Sequence, residues 1–184
     1  MDREIRICFV CTGNTCRSIM AERLFKKIIK DKKINGLKAS SRGIKAKGEN
    51  ISEKNPNYNE LTAIYWAWKN LKDVDAVGLV HYRRLFFEKK PYNLNNVISI
   101  ENVEKLLTKY DVILPKKRNY YIETNYSHYV HAHHQEPLDK TREIIQASYP
   151  QYLVKYDEVM KRSKAHMFNM FIMKRDVFES YCSF

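Results

Sequence analysis

The segment Cys11–Ser18, of sequence CTGNTCRS, constrains the fold of this chain more than any other stretch. An apolar run from Ile5 to Val10 precedes it, and a run with helical periodicity follows it to about Lys32. This order predicts a strand, a tight loop and the start of a helix. Such a loop directs backbone N–H groups and the positive end of a helix dipole at one place. We therefore expect it to bind a dianion of phosphate size and to lower the pKa of a central cysteine.

The residue types in this loop suit phosphoryl chemistry. As a thiolate, Cys11 could attack phosphorus, and Arg17 could place two N–H donors on the phosphate oxygens. Ser18 could donate to the thiolate and cap the helix. The remaining loop positions are predicted to bind the phosphate: Thr12, Gly13, Asn14, Thr15 and Cys16. We expect this chemistry to need no cofactor.

The stretch from Ile7 to Glu22 resembles the amino-terminal signature of low-molecular-weight protein tyrosine phosphatases, and the similarity continues to about residue 52. The resemblance implies that Cys11 is the nucleophile, that Arg17 binds the phosphate, and that Asn14 and Ser18 stabilise the loop. The implied partner is a phosphorylated protein or a small phosphoanion. Cys16 matches a second cysteine of that family, which can pair with Cys11 on oxidation. A small packing residue is the alternative for Cys16.

The chain departs from the phosphatase pattern in two ways. Ile19 stands where the family usually has proline, which removes some preorganisation of the helix start. The family protonates the leaving group with the aspartate of an Asp-Pro dipeptide, and no such dipeptide occurs in this chain. General acid catalysis contributes roughly 10²–10⁴ in rate. We therefore expect the loop alone to bind phosphate, or to accept a phosphoryl group slowly.

Residues 48–184 resemble a second family. Four motifs occur in order: NISEKNPNYNELTAIYWAWKNL from Asn50, VGLVHYRRLF from Val77, ILPKKRNYY from Ile113 and AHMFNMFIMK from Ala165. They are similar to a bacterial family of glycosyltransferase-like proteins from capsular and exopolysaccharide clusters, catalogued as a domain of unknown function. The resemblance implies a nucleotide sugar and a glycan acceptor as substrates.

These two resemblances predict a boundary between domains. Residues 1–47 would be a truncated phosphatase segment, and residues 48–184 a partial glycosyltransferase-like domain. Both parts look incomplete by the standard of their families. The join near residue 48 suggests a recombined, truncated or artificially joined reading frame.

Charge and composition limit the binding partners and the cellular location that we expect for the chain. The formal charge is +12 over 184 residues. It could attract a nucleotide sugar, an acidic glycan or lipid phosphate at the surface of a membrane, although a solvated lysine-rich surface also explains it. No nucleic-acid-binding module is recognisable, so we expect no nucleic-acid partner. No apolar run approaches the ~18 residues of a membrane span. With four cysteines and no signal peptide, we expect a cytoplasmic protein.

Hydrophobic periodicity predicts alternating strands and helices. Strands are expected at Ile5–Val10, Leu37–Gly43, Ala76–Tyr82, Val112–Leu114 and Met167–Met173. Helices are expected at Ser18–Lys32, Asn55–Asn70, Val103–Lys109, Glu136–Ser148, Gln151–Arg162 and Arg175–Tyr181. The predicted fold class is α/β, a mainly parallel sheet with flanking helices. In it, a strand–phosphate loop–helix unit is joined to a truncated segment like a GT-A glycosyltransferase.

The second part carries candidate groups at the end of a strand, where ligands of α/β sheets bind. His81, Arg83 and Arg84 follow the strand from Ala76, and the arginines could stabilise a departing diphosphate. Two surface arginines are the alternative. Asp73 and Asp75 have the spacing of a metal-binding pair, but they precede the strand, which favours a turn. A divalent metal in the transferase-like part stays open.

A histidine-rich stretch from His128 to His134 provides a further candidate site. A polar sugar-binding surface that includes His131 is favoured over a zinc site, since zinc needs three or four convergent ligands. Glu136 or Asp139 could be the base for an acceptor hydroxyl. Trp66 and Trp68 point apart on a helix, so at least one should be in the core.

Three functions therefore remain at this point. The chain could be a glycosyltransferase-like protein, a phosphatase or phosphate-binding module acting through Cys11 and Arg17, or an inactive fusion that folds poorly.

Overall fold

The structure is a computed structural model that describes residues 5–10, 37–41, 48–81 and 84–184, with the backbone alone in the first two ranges. The strands are β1 Ile5–Val10, β2 Leu37–Ser41, β3 Ala76–His81, β4 Val112–Ile113, β5 Arg118–Asn119, β6 Lys164–Ala165 and β7 Phe171–Lys174. The helices are α1 Asn55–Tyr58, α2 Leu61–Asn70, α3 Ile100–Leu107, α4 Asn125–Ala132, α5 Glu136–Ser148, α6 Leu153–Lys161 and α7 Arg175–Ser183. The predicted helix Ser18–Lys32 lies outside the described residues.

The chain divides into two compact units. One consists of Met1–Pro115 and Phe168–Phe184, and we call it the sheet unit. The other, Lys116–Met167, is the helical unit. This division does not follow the predicted boundary at residue 47, because β1 pairs with β3 in one sheet. Where one family segment ends and the next begins stays a prediction.

Five strands of the described residues form the sheet, in the order β2-β1-β3-β7-β4. The pairs β1–β2 and β1–β3 are parallel, whereas β7 is antiparallel to both β3 and β4. The predicted mixture of helices and strands is thus confirmed, but the mainly parallel sheet is corrected to a mixed one. The reason is that β7 starts beside the carboxyl end of β3, where Leu79 pairs with Phe171, and runs back along it.

The core of the sheet unit lies on both faces of β3 and β7. On one face, Val77, Leu79, Phe171 and Met173 pack with apolar residues of α2 and with Phe178 of α7. Ile172 points to the other face and packs with Val103 of α3. This alternation follows the two-residue period of a strand. In α2 the buried residues are Ala63, Ile64, Trp66 and Ala67, a stripe with helical spacing.

The single helix predicted from Asn55 to Asn70 is two helices. The chain turns between α1 and α2 at Asn59, whose φ is 45°. The hydroxyl of Thr62 donates to the Asn59 carbonyl at 2.7 Å and to the Asn55 side-chain oxygen at 3.0 Å. These bonds fix the turn, and asparagine is among the side chains that tolerate a left-handed φ.

Other elements agree with the sequence to within a few residues. The strand Ile5–Val10 and the helix Glu136–Ser148 have the predicted bounds. Helix α3 begins earlier than predicted, because the Ser99 side chain accepts the Asn102 N–H at 3.2 Å and caps it. The strand predicted from Met167 starts only at Phe171. Phe168 and Asn169 have left-handed φ values of 76° and 50°, which a strand does not accommodate.

The helical unit contains α4, α5 and α6 and the short β5–β6 pair, in which Arg118 lies opposite Ala165. Helix α4 was not among the predicted elements. A reciprocal capping box starts it: the Thr124 side chain accepts the Ser127 N–H, and the Ser127 side chain accepts the Thr124 N–H. Between α5 and α6, Arg142 and Asp157 form a two-point ion pair, with both N···O distances at 2.8 Å. None of the helices in the described part of the chain has the length and apolarity needed to cross a membrane.

Candidate functional site at the carboxyl end of strand β3

The candidate site begins where β3 ends at His81. In the parallel register of β1 and β3, His81 lies opposite Val10, the last residue of β1. The backbone N–H of Arg84 donates to the His81 carbonyl at 3.0 Å, which brings Arg84 back to the end of the strand. The two candidates are therefore neighbours at the sheet edge where α/β proteins bind ligands.

Phe168 connects these two side chains. Its carbonyl accepts a hydrogen bond from Nε2 of His81, and the two rings meet edge to face with centroids 6.5 Å apart. The Arg84 guanidinium lies 3.9 Å from the centre of the Phe168 ring, in cation–π contact. Because Nε2 of His81 is the donor, Nδ1 is the acceptor in the neutral ring. The site thus presents a supported cation beside an imidazole with a fixed tautomer.

The backbone conformation of residues 168 and 169 positions the carbonyl and the ring of Phe168. The left-handed pair leads from the helical unit into β7 and directs the Phe168 carbonyl to His81. The side-chain amide of Asn169 donates to Glu60 at 2.7 Å, which ties the pair to the start of α2. Arg84 remains exposed, so its guanidinium is accessible to an anion from solution.

Several predicted site residues lie outside the described residues. They are the eight of the phosphate loop, Cys11, Thr12, Gly13, Asn14, Thr15, Cys16, Arg17 and Ser18, together with Arg83. Their roles stay predictions. The loop follows Val10 directly in the sequence, and Val10 is the residue paired with His81.

At the opposite end of β3, Asp73 and Asp75 lie in the irregular segment before the strand, as expected for a turn. A cavity of about 880 Å³ opens there, with Asp75, Glu104 and Arg175 in its wall. NH2 of Arg175 donates to the Trp68 carbonyl at 3.1 Å and to Glu179, whereas its NH1 is buried and has no hydrogen-bond partner among the described residues. This cavity contains neither His81 nor Arg84, and it lies at the amino end of β3.

In the helical unit, two histidines share one carboxylate. Nδ1 of His128 and Nδ1 of His131 each lie 2.5 Å from an oxygen of Glu123. Hydrogen bonds from His128 and then His131 hold the pKa of Glu123 below the ordinary carboxyl value. The ring of His128 also stacks on Tyr120, with centroids 3.8 Å apart. Each imidazole is thus oriented by Nδ1, and Nε2 is the acceptor of the neutral ring.

Asp139 is already hydrogen-bonded on both oxygens, by the Tyr126 hydroxyl at 2.8 Å and the Gln135 amide at 2.7 Å. The bond to Asp139 is the main reason that the pKa of Tyr126 is raised. Glu136 and Asp139 border a surface cavity of about 310 Å³. Whether either carboxylate acts as a base stays a prediction.

The divalent metal of the transferase-like part stays a prediction. Within the described ranges, no group of three or more His, Cys, Asp and Glu side chains is arranged to hold a metal ion. The prediction for the tryptophans is confirmed: Trp66 is in the core, and Trp68 is partly buried and donates to Glu179 at 2.7 Å.

Sequence reasoning missed three of the residues that shape these sites. Phe168 contacts His81 across a separation of 87 positions in the chain, and Glu60 contacts Asn169 across a separation of 109 positions. No local pattern could therefore have revealed either residue. Glu123 was detectable in principle, because it precedes His128 by five residues and His131 by eight.

The fold of this chain is similar to that of a solved glycosyltransferase. The apo structure of WbbM, a bifunctional glycosyltransferase, matches with a TM-score of 0.71 and 24% identity, over 98% of this chain and 35% of that one. At this identity the likeness concerns the fold.

The chain belongs to the family described as Domain of unknown function (DUF4422), whose model matches residues 9–184. The phosphatase resemblance is also found, over a short stretch. The low-molecular-weight protein-tyrosine-phosphatase PtpA of Staphylococcus saprophyticus is 49% identical over 39 residues, or 21% of this chain and 25% of that protein. PtpA of Staphylococcus aureus strain Newman is 46% identical over 39 residues, with the same coverage. The chain thus spans about a quarter of these phosphatases, and both predicted resemblances are confirmed.

Proposed function

We propose that this chain acts in the transfer of a sugar from a nucleotide sugar to a glycan acceptor, in the synthesis of a bacterial capsular or exopolysaccharide. The observation that carries the proposal is the exposed Arg84 guanidinium, held against Phe168 at the carboxyl end of β3. The fold that this chain shares with a solved glycosyltransferase supports it.

The proposed chemistry requires positive charge at the departing diphosphate. When the bond between the anomeric carbon and the diphosphate breaks, the negative charge on the leaving oxygen grows, and an oriented cation stabilises it. Arg84 has the fork geometry that suits phosphate oxygens, and Arg83 is the adjacent candidate. His81 lies beside Arg84, and Nδ1 of its neutral ring can accept a hydrogen bond. No step is assigned to a metal ion.

Thermal unfolding with nucleotide sugars tests this proposal. The full chain would be scanned with UDP-, GDP- and dTDP-linked sugars, each with and without Mg²⁺ or a chelator. A ligand at about 100 times its Kd adds ~2.7 kcal/mol of stability, which corresponds to a rise in Tm of roughly 5–10 °C for a chain of this size. Arg84→Ala should reduce this rise strongly.

The matched control is Arg162→Ala, which removes an exposed arginine of the helical unit that contacts Glu158 at 3.5 Å. It should leave the shift produced by the nucleotide sugar unchanged. If no nucleotide sugar raises the Tm, or if Arg84→Ala retains the full shift, the proposed role of this site is wrong.

A second candidate function is phosphate-ester cleavage through Cys11, favoured by the 49% identity to a phosphatase over 39 residues. In the proposed step, the Cys11 sulfur forms a bond to phosphorus while the ester oxygen leaves with its electron pair. Water then hydrolyses the cysteinyl phosphate. Without an Asp-Pro acid, we expect turnover only with activated aryl phosphates, whose leaving groups need little protonation.

An aryl phosphate assay with Cys11→Ser tests this second candidate, and iodoacetate labelling adds an independent measurement. Cys182 provides an internal reference, because burial raises the pKa of its thiol to about 11. Cys11 should be labelled much faster than Cys182 at neutral pH, and inorganic phosphate should protect it. Equal labelling rates and no protection by phosphate would exclude the anion-binding loop.

A further inference from the structure

One turn of the helical unit exposes two large apolar side chains next to each other. Ile122 is 98% exposed and Tyr121 is 82% exposed. Apolar side chains are common on protein surfaces, but two adjacent ones with almost no contact to the protein form an apolar tip. We call Tyr121 and Ile122 the apolar tip.

Hydrogen bonds hold the tip in this conformation. The N–H of Ile122 donates to the Tyr120 carbonyl at 2.8 Å, and the N–H of Tyr121 donates to the Asn119 side chain at 3.1 Å. Tyr121 has a left-handed φ of 59°, which is uncommon for a bulky residue. The tip is therefore held by defined backbone contacts, and its side chains point into solvent at some cost in backbone energy.

The residue before the tip faces the protein. The Tyr120 ring stacks on His128, and its hydroxyl donates to the sulfur of Met167 at 3.2 Å. The turn is thus anchored by Tyr120, and the next two side chains project away from this anchor. This arrangement separates a fixed base from an exposed apolar tip.

Basic residues lie close to the tip in the sequence and on the strand paired with β5. Lys116, Lys117 and Arg118 are all exposed, and Lys164 is opposite Asn119 in the β5–β6 pair. The carboxylate nearest to the tip in sequence is Glu123, which is hydrogen-bonded to His128 and His131. The segment that leads into the tip and the strand paired with it thus contribute four basic residues.

We propose that the apolar tip and its basic neighbours dock this chain on the surface of a membrane that contains anionic lipids. Tyrosine and aliphatic side chains partition into the interface of a bilayer, and lysine and arginine remain with the headgroup phosphates. The four basic residues complement the negative charge of anionic lipids, which favours a membrane surface as the binding partner of the tip. A stable protein interface buries about 800 Å² on each partner, far more than two side chains provide. This inference does not depend on the proposed transferase activity.

Sedimentation with vesicles tests the proposal. The full chain should bind vesicles of phosphatidylcholine and phosphatidylglycerol in equal parts, should bind pure phosphatidylcholine much less, and should dissociate as salt is raised. Each basic residue near an anionic surface contributes about a fivefold factor in partitioning. Lys116→Glu with Lys117→Glu should therefore weaken binding by well over tenfold, and Ile122→Asp by about tenfold or more.

The matched control is Val154→Asp, since Val154 is another exposed apolar residue of the helical unit, 66% exposed in α6. It should bind as the unmodified chain does. A Tyr121→Trp variant reports insertion directly, because its fluorescence should shift to shorter wavelength with anionic vesicles alone.

Retained binding in Ile122→Asp, or equal loss in Val154→Asp, would overturn the assignment. So would a chain that stays in the supernatant with anionic vesicles but self-associates through Ile122, which would make the tip a protein contact. Because nucleotide-sugar binding is measured separately by thermal unfolding, failure here leaves the proposed function intact.

Discussion

Phe168 shows how one residue can serve two neighbours with different parts of its structure. Its carbonyl accepts the hydrogen bond of His81, and its ring supports Arg84. Both contacts depend on the left-handed backbone of residues 168 and 169, because an extended strand would direct carbonyl and ring elsewhere. The strain of such a conformation is of order 1–3 kcal/mol, which is compatible with a functional constraint at this position.

Glu123 offers a test at the scale of single residues. Its pKa is lowered below 4.5, first by the hydrogen bond from His128 and then by that from His131. A carboxyl with a lowered pKa in the folded state adds stability above its unfolded pKa, and this stability is lost as the pH falls through the folded value. We therefore expect Glu123→Gln to be less stable than the unmodified chain near neutral pH, with the difference shrinking in acid. Urea unfolding from neutral pH to below pH 4 measures it.

Glu143→Gln is the control for this series. Glu143 pairs with the exposed Lys140 on the surface of α5, and such exposed pairs contribute little, so its removal should change stability little at any pH. A difference between Glu123→Gln and the unmodified chain that stays constant with pH would contradict the assigned role of the two histidines.

At the scale of elements, the sequence predicted the helices and strands whose bounds are set by neighbouring residues. Strand β1 is apolar apart from Arg6, and α5 starts beside Pro137 and ends before Pro150, so both have their predicted bounds. Helix α4 was missed because its residues have weak helix propensity and a capping box starts it. The break at Asn59 was missed because the Thr62 hydrogen bonds that fix it became apparent only in the structure.

The candidate site was predicted in the same partial way. His81 and Arg84 follow a recognisable strand, and sequence alone placed them at its end. The contacts of Phe168 with His81, and of Asn169 with Glu60, join residues far apart in the chain, so they depend on the antiparallel entry of β7. The antiparallel orientation of β7 depends on how the strands pair in the sheet. It was not predicted, because a mainly parallel sheet was expected.

Helix α7 provides a test at the scale of elements. Phe178 is fully buried and packs against Phe171 of β7, with ring centroids 5.9 Å apart. Phe178→Ala should cost about 3–5 kcal/mol in the free energy of unfolding, because it leaves a cavity in the core. Phe184→Ala removes an exposed ring at the end of the same helix and should change it by less than about 0.5 kcal/mol. Similar losses in chemical unfolding would show that α7 does not pack as described.

At the scale of the whole molecule, the division into two compact units predicts that they open separately. Asn125 holds the helical unit together: its amide donates to the Val159 carbonyl at 2.7 Å and to the Lys164 carbonyl at 3.3 Å. We expect Asn125→Ala to destabilise that unit by about 1–2 kcal/mol. Hydrogen exchange should then accelerate about tenfold in α4 and α6 and change little in β3 and β7.

The control for this experiment is Gln146→Ala, on the exposed face of α5, which should leave exchange unchanged in both units. If Asn125→Ala accelerates exchange equally in β3, β7 and the helices, the two units unfold as one, and the division has no thermodynamic meaning.

The β5–β6 pair has a consequence for how such a chain can diversify. The polypeptide enters the helical unit through β5 and leaves it through β6, and these strands are hydrogen-bonded neighbours. The segment between β5 and β6 is therefore an insertion whose two ends are neighbours. Closing a long loop costs only slightly more conformational entropy than closing a short one. A different segment could therefore replace this insertion while the strands of the sheet unit keep their register.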